Sequence, residues 1–184
     1  RCPIFSLANR QQIQSFTQLQ TPHPMDQQPT QDELKLIAAN LRKPSGEPGI
    51  AIGEAMNTGN GPMNRHTLAV LHPQQGDRIL EIGMGNGHFV SNILALDTSI
   101  RYTGCDFSET MVDAANKRNQ QLIAQGRATF YVADAANLPL DAASVNKIFT
   151  INTLYFWDQP TTILAELSRV LTPDGQLIIA IRPK

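Results

Sequence analysis

The sequence predicts an α/β fold, an open and mostly parallel sheet, doubly wound, with helices on both faces. Three observations predict it. From residue 78 onward, short apolar runs of strand length alternate with segments of helical period. The first run, Ile79-Leu80-Glu81-Ile82, enters a loop with glycine at every second position, Gly83, Gly85 and Gly87, before the pattern turns helical. Polar residues of one kind then follow the later runs: Asp106, Asp134 and Asn152. Strand and helix alternating at this spacing build βαβ units, and right-handed crossovers put the helices on both faces of a parallel sheet.

The elements follow in order. Residues 1–30 are rich in Gln, carry Pro3, Pro22, Pro24 and Pro29, and lack regularly spaced aliphatics, the composition of a poorly ordered leader. The sequence does not begin with Met; Met25 offers a natural start, with 1–24 as upstream sequence. Leu34, Ile37, Ala38 and Leu41 have helical spacing over 32–41, with Asp32 as a cap. Lys43–Gly49 is a breaker-rich loop, Ile50–Met56 a short helix, Asn57–Pro62 a loop, and Asn64–Leu71 a further helix halted near Pro73. Residues 31–75 thus read as an N-terminal helical cap on a sheet domain at 76–184. Strands are expected at 78–82, 101–105, 128–132, 145–151 and 176–181, and helices at 87–96, 108–125 and 160–171. Ser108 caps the second of these helices and Gly126 stops it; Pro173-Asp174-Gly175 turns the chain into the last strand.

Bulk properties exclude several function classes. A chain of 184 residues is long enough for one domain with a substantial core. The net charge of −1, with both signs mixed along the sequence, gives no electrostatic footprint for nucleic acid or an anionic membrane. Cys2 and Cys105 supply neither a disulfide framework nor zinc spacing, and Cys105 reads as a small buried strand residue. His23, His66, His72 and His88 form no metal-ligand cluster, so no metal is expected. No apolar run approaches the ~20 residues of a membrane span, and residues 1–20 lack the apolar core of a signal peptide. A reducing cytoplasm is the default compartment.

In an open parallel sheet, ligands sit beyond the carboxyl ends of the strands. Gly83, Gly85 and Gly87 follow the first strand, Asp106 the second, Asp134 the third and Asn152 the fourth. Two acids and a glycine loop on one rim can bind a nucleoside: Asp106 can accept both ribose hydroxyls, Asp134 the exocyclic amine of adenine, and Phe107 and Ala135 can wall the ring. A dinucleotide site needs a third glycine where His88 stands. A phosphate loop fails as well, because no Gly-Lys-Ser/Thr follows. Glu81, just before the loop, suits a cationic or amino-bearing ligand rather than pyrophosphate. Each residue also has a plain structural reading. The loop could be a tight turn, Asp106 a helix cap, Asp134 a solvated loop acid, His88 a packing residue, and Tyr155-Phe156-Trp157 core and rim aromatics instead of an acceptor pocket.

Five segments, in this order and spacing over roughly 56–182, resemble the class I S-adenosylmethionine-dependent methyltransferases, particularly the small-molecule type related to ubiquinone/menaquinone methyltransferases. They are Ile79–Gly87, Gly104–Met111, Asp134–Pro139, Asn152–Trp157 and Glu166–Gly175. The resemblance implies a Rossmann-like fold and methyl transfer from S-adenosylmethionine to a small organic acceptor. It implies that Glu81 organises the loop and meets the methionine amino group, and that Gly83, Gly85 and Gly87 let the backbone pass against the methionine part. Asp106 then binds the ribose, Asp134 the adenine amine, and the Asn152 backbone the amino-acid end. Met84 departs from the pattern, standing where small or acidic residues are common. Candidate bases near the cleft are His66, His72, Tyr155 and Asp158. The rival expectation is a catalytically silent module that binds the cofactor or a partner; a nicotinamide oxidoreductase is disfavoured by His88. The resembled fold continues with a helix and an antiparallel strand pair. The expectation is therefore a fragment, or a segment or second subunit that covers the apolar edge Leu177–Ile181.

Overall fold

The computed structural model describes residues 30–182, so the expected leader and a start at Met25 lie outside the described residues. Two helices, α1 (Gln31–Arg42) and α2 (Gly46–Leu71), precede the sheet. They are followed by β1 (Arg78–Ile82), α3 (Val90–Leu94), β2 (Arg101–Asp106), α4 (Glu109–Arg118), α5 (Gln120–Ala124) and β3 (Ala128–Val132). After β4 (Val145–Ile151) come a single 3-10 turn at Leu154–Phe156, α6 (Pro160–Val170) and β5 (Leu171–Ala180). The five strands form one sheet in the order β3-β2-β1-β4-β5, and every neighbouring pair is parallel. The chain steps outward from β1 to β3 and then crosses back to β4. The strand order therefore reverses between β1 and β4, which is where an open sheet of this kind leaves a crevice.

Strand alternation divides the core between two faces. On one, Ile79 of β1 packs with Val90 and Ile93 of α3, Val112 and Ala115 of α4 and Leu71 of α2. On the other, Leu80 and Ile82 pack with Ile163, Leu167 and Val170 of α6. The sheet is thus doubly wound and Rossmann-like, as the alternation predicts. Asp77, 5% exposed, sets the entry to β1 by accepting hydrogen bonds from the Gln74 N–H and the Asn146 amide, each at 2.7 Å. Among the described residues no helix is long and apolar enough to cross a membrane, and no group of three His, Cys, Asp or Glu could hold a metal.

The structure corrects four element boundaries. The expected pair of short helices with a loop at 57–62 is one continuous 26-residue helix, α2, with Pro62 inside it. Two of its glycines serve packing. A Cβ at Gly49 would lie 2.7 Å from the Pro44 carbonyl carbon, and one at Gly53 would lie 3.0 Å from the Met111 sulfur. Pro48 falls in the first turn, where its missing N–H costs nothing. The expected helix at 87–96 shrinks to α3: Gly87 has φ 66°, a left-handed conformation outside helical geometry, and residues 88–89 form a turn before Val90. The helix at 108–125 divides at Asn119, whose buried side-chain amide donates to the Ala115 carbonyl at 3.0 Å and to the Gly87 carbonyl at 3.1 Å. Ladder pairing of β5 begins earlier than expected, at Leu171 opposite Val145. Residues 172–175, the Pro173-Asp174-Gly175 turn among them, bulge out before Gln176 meets Lys147.

Candidate functional site

The carboxyl ends of β1, β2 and β4 open onto a cavity of about 400 Å³. Eight of the nine sequence-predicted residues line it: Glu81, Gly83, Gly85, Asp106, Phe107, Asp134, Ala135 and Asn152. Gly87 does not. All three glycines adopt left-handed conformations, with φ of 73°, 57° and 66° at Gly83, Gly85 and Gly87. A side chain at Gly83 would collide with the Thr153 methyl group, and a Cβ at Gly87 would lie 2.7 Å from the Asn119 amide nitrogen. At Gly85 a Cβ would have no atom within 4 Å, so the loop meets the open cavity there.

Two buried acids brace this loop. Asp106, 8% exposed, accepts the Gly85 N–H on Oδ2 at 3.0 Å and the Ser108 N–H on Oδ1 at 2.9 Å. It is the Ser108 side chain that caps α4, accepting the Met111 N–H at 3.3 Å. Burial raises the Asp106 pKa, and the N–H bonds from Ser108, Gly85 and Phe107 oppose the rise. Glu81 is 6% exposed and accepts the Tyr102 hydroxyl on Oε2 at 2.5 Å. Burial pushes its carboxyl up to about 7; the Tyr102 bond works against this, and the Asp106 charge adds to it. Burial likewise pushes the Cys105 thiol up to about 12, so this residue is an inert packing thiol, as expected.

The outer residues are tied differently. Asp134 is exposed and accepts the Ala136 N–H at 2.9 Å. Phe107, 39% exposed, carries the Lys43 ammonium 5.5 Å above its ring. Asn152 adopts φ 58°, donates to Asn60 Oδ1 at 3.0 Å and accepts the Arg182 N–H at 3.1 Å. Of the base candidates, Asp158 alone lines the cavity, and it is ion-paired with Arg42. Tyr155 points elsewhere, its hydroxyl donating to the Arg182 carbonyl at 2.6 Å. His66 is exposed on α2, and His72 ends that helix with φ 47°; neither reaches the cavity. His88 is exposed, its ring edge-on to Phe89 at 4.8 Å and its Nδ1 3.1 Å from the Arg118 guanidinium.

Sequence reasoning missed the wall that α2 supplies. Met56, Asn57, Asn60 and Asn64 all line the cavity. Asn57, Asn60 and Asn64 fall at i, i+3 and i+7, one face of a helix, but Gly59, Gly61 and Pro62 disguised Asn57–Pro62 as a loop and cut Asn57 and Asn60 off from the helix expected at Asn64. Asn64 is 2% exposed, and its amide has no hydrogen-bond partner. Asn86, inside the glycine loop, is also buried and donates to Glu54 at 3.2 Å.

A sequence model of the methyltransferase domain matches residues 80–179, more than half of the chain. The chain belongs to that family. It is a class I S-adenosylmethionine-dependent methyltransferase domain, and S-adenosylmethionine is its cofactor. An O-methyltransferase of Pyrenophora dematioidea is 33% identical over 119 residues, 63% of this chain and 44% of that protein. The uncharacterized methyltransferase YdaC of Bacillus subtilis is 29% identical over 136 residues, 72% of this chain and 71% of that one. A chain in a Haloferax volcanii complex built on the Trm112 methyltransferase activator superposes with a TM-score of 0.62 at 26% identity, covering 68% of this chain and 54% of its own. This chain therefore spans about half the length of several relatives it matches. The residues fit the cofactor: Gly85 leaves room for a ligand against the loop backbone, and the Asn64 amide stands in the cavity wall with no hydrogen bond inside the protein.

Proposed function

We propose that this methyltransferase domain moves a methyl group from S-adenosylmethionine to a small organic acceptor by in-line displacement. The observation that supports this most is the meeting of Asp106, Asp134, the glycine loop and Asn152 on one cavity. Asp106 holds the ribose hydroxyls with its carboxylate already oriented by Gly85 and Ser108. Asp134 takes the adenine amine, with Phe107 and Ala135 on either side of the ring. Glu81 meets the amino group of the methionine part, a cation that favours the ionised carboxylate. Gly83 and Gly85 present backbone to the ligand, whereas Gly87 serves by fitting the loop onto α4. When bound, the cofactor supplies a methyl group activated by its sulfonium. The acceptor's nucleophilic atom forms a bond to that carbon as the carbon–sulfur bond breaks, and S-adenosylhomocysteine leaves. Positioning supplies much of the rate in such a step. Phe156 and Trp157 wall the acceptor, and a base enters only where the acceptor must lose a proton. In this reading residues 31–75 form a helical cap and 76–184 the cofactor-binding domain.

Calorimetric titration with S-adenosylhomocysteine, followed by transfer of labelled methyl to a pool of small acceptors, tests the proposal. Binding with transfer supports it, and absence of binding sinks it. Binding without transfer to any member of the pool favours the silent module.

A further inference from the structure

We propose that the amides of α2, Asn60 and Asn64, donate hydrogen bonds to the carboxylate at the amino-acid end of the cofactor. This rests on the methyl-transfer reading and concerns the same cavity. The first argument is Asn64 itself. Its amide is almost fully buried, lines the cavity and is bonded to nothing in the protein. An amide held in the cavity wall with no partner in the protein is free to bond whatever ligand enters.

Hydrogen-bond accounting then separates the three amides. Asn57 donates one of its two amide N–H groups to Glu54 Oε2 at 3.0 Å, which turns that side chain toward an exposed partner. Asn60 accepts from Asn152 on its oxygen at 3.0 Å, which fixes the side chain and leaves its NH₂ group to donate. Asn64 has both ends free. Asn60 and Asn64 are thus the two whose NH₂ groups are wholly unengaged within the protein.

Electrostatics and position select the ligand group. Arg42 is the one cation among the described cavity-lining residues, and Asp158 already holds it. A carboxylate entering the cavity therefore has no unpaired cation to meet, and neutral N–H donors are what the wall offers. The strand order runs β3-β2-β1-β4, so a ligand whose adenine and ribose sit at Asp134 and Asp106 crosses the glycine loop and ends at Asn152. Asn152 is the residue that Asn60 touches. Glu81 lies on the intervening strand for the ammonium, and the α2 amides take the opposite charge.

Calorimetry with two probes tests this. S-adenosylhomocysteine carries the amino-acid end; 5′-methylthioadenosine keeps the nucleoside and the sulfur but lacks it. Replacing Asn64→Leu should weaken S-adenosylhomocysteine at least tenfold and leave 5′-methylthioadenosine within twofold. Asn64→Asp should weaken S-adenosylhomocysteine further, through like charge. Half-buried Asn60→Ala supplies a variant with little risk to folding and should show the same selectivity. Thermal melts verify that each variant is folded. Unchanged S-adenosylhomocysteine affinity in these variants overturns the proposal. So does equal weakening of both probes, which would make the amides a support for the whole cavity. Wild-type protein that binds both probes equally well also overturns it. Wild-type protein that binds neither removes the methyl-transfer reading, and this proposal with it.

Discussion

At the residue scale, Glu81 combines a structural liability with a use. Its carboxyl titrates at about 7 in the folded protein against an ordinary 4.5. Between those values the folded state keeps a proton that the unfolded chain has lost, so stability falls as pH rises through that window and stays lower above it. The gap corresponds to about 3 kcal/mol at most. In Glu81→Gln the amide still accepts the Tyr102 hydroxyl but cannot ionise. Urea denaturation of the ligand-free protein should show the wild type losing stability relative to this variant between pH 4.5 and 8; parallel profiles would contradict the burial argument. The same variant should bind S-adenosylhomocysteine more weakly, having lost its charge toward the ammonium. Asp106 makes a second case. Asp106→Ala should weaken S-adenosylhomocysteine by ~1–3 kcal/mol, the cost of losing buried hydrogen bonds to a charged group. Unchanged affinity in the titration would reduce Asp106 to a brace for Gly85 and Ser108. These acids were legible in the sequence because Glu81 interrupts an apolar run one residue before its end and Asp106 closes the next, and strand geometry carries both positions toward the rim. Asn64 was legible as a helix start but not as a cavity residue, since a loop expected at Asn57–Pro62 hides the continuous face it shares with Asn57 and Asn60.

At the scale of elements, the glycine loop divides its labour, and the division is measurable. All three glycines share the left-handed backbone, which costs a residue with a side chain ~1–2 kcal/mol. Gly87→Ala adds a collision with Ala115 on α4 and with Asn119 that caps it, contacts that hold the loop to the helix. Gly85→Ala adds none, but its methyl group would enter the space left for the ligand. Chemical denaturation should therefore find Gly87→Ala the more destabilised of the two, by more than the backbone cost alone. S-adenosylhomocysteine titration should find Gly85→Ala the more impaired in binding among folded variants. The reverse ranking would mean that Gly87 is the ligand-facing position. The spacing of glycines announces such a loop; which glycine faces a helix and which faces a ligand depends on α4, an element more than twenty residues downstream. The merging of two expected helices into α2 has the same origin. Local propensity favours a break at Gly59, Gly61 and Pro62, yet α2 runs through them, and it is packed to its neighbours earlier in the helix, where Gly49 and Gly53 approach Pro44 and Met111.

At the scale of the whole molecule, β5 is the exposed feature. Among the described residues it pairs with β4 alone, and its outer edge presents an unpaired ladder. Which residues form that ladder follows from register. The Asn152 N–H donates to the Ala180 carbonyl at 2.9 Å, so both backbone groups of Ala180 face β4. Its neighbour Ile179 then directs its N–H outward, as does Leu177. A run of Leu, Ile, Ile and Ala with free N–H groups is a template for another strand. The 184-residue chain is thus expected to self-associate with rising concentration in sedimentation velocity. Ile179→Pro removes one outward N–H without removing a bond to β4, since that N–H is not in the β4 ladder, and a proline is tolerated at such an edge. It should shift sedimentation toward the monomer while leaving S-adenosylhomocysteine affinity unchanged, because the cavity lies across β4 from this edge. A wild type that stays monomeric at high concentration would show the edge to be covered by the chain itself. Equal association of both proteins would place the contact elsewhere.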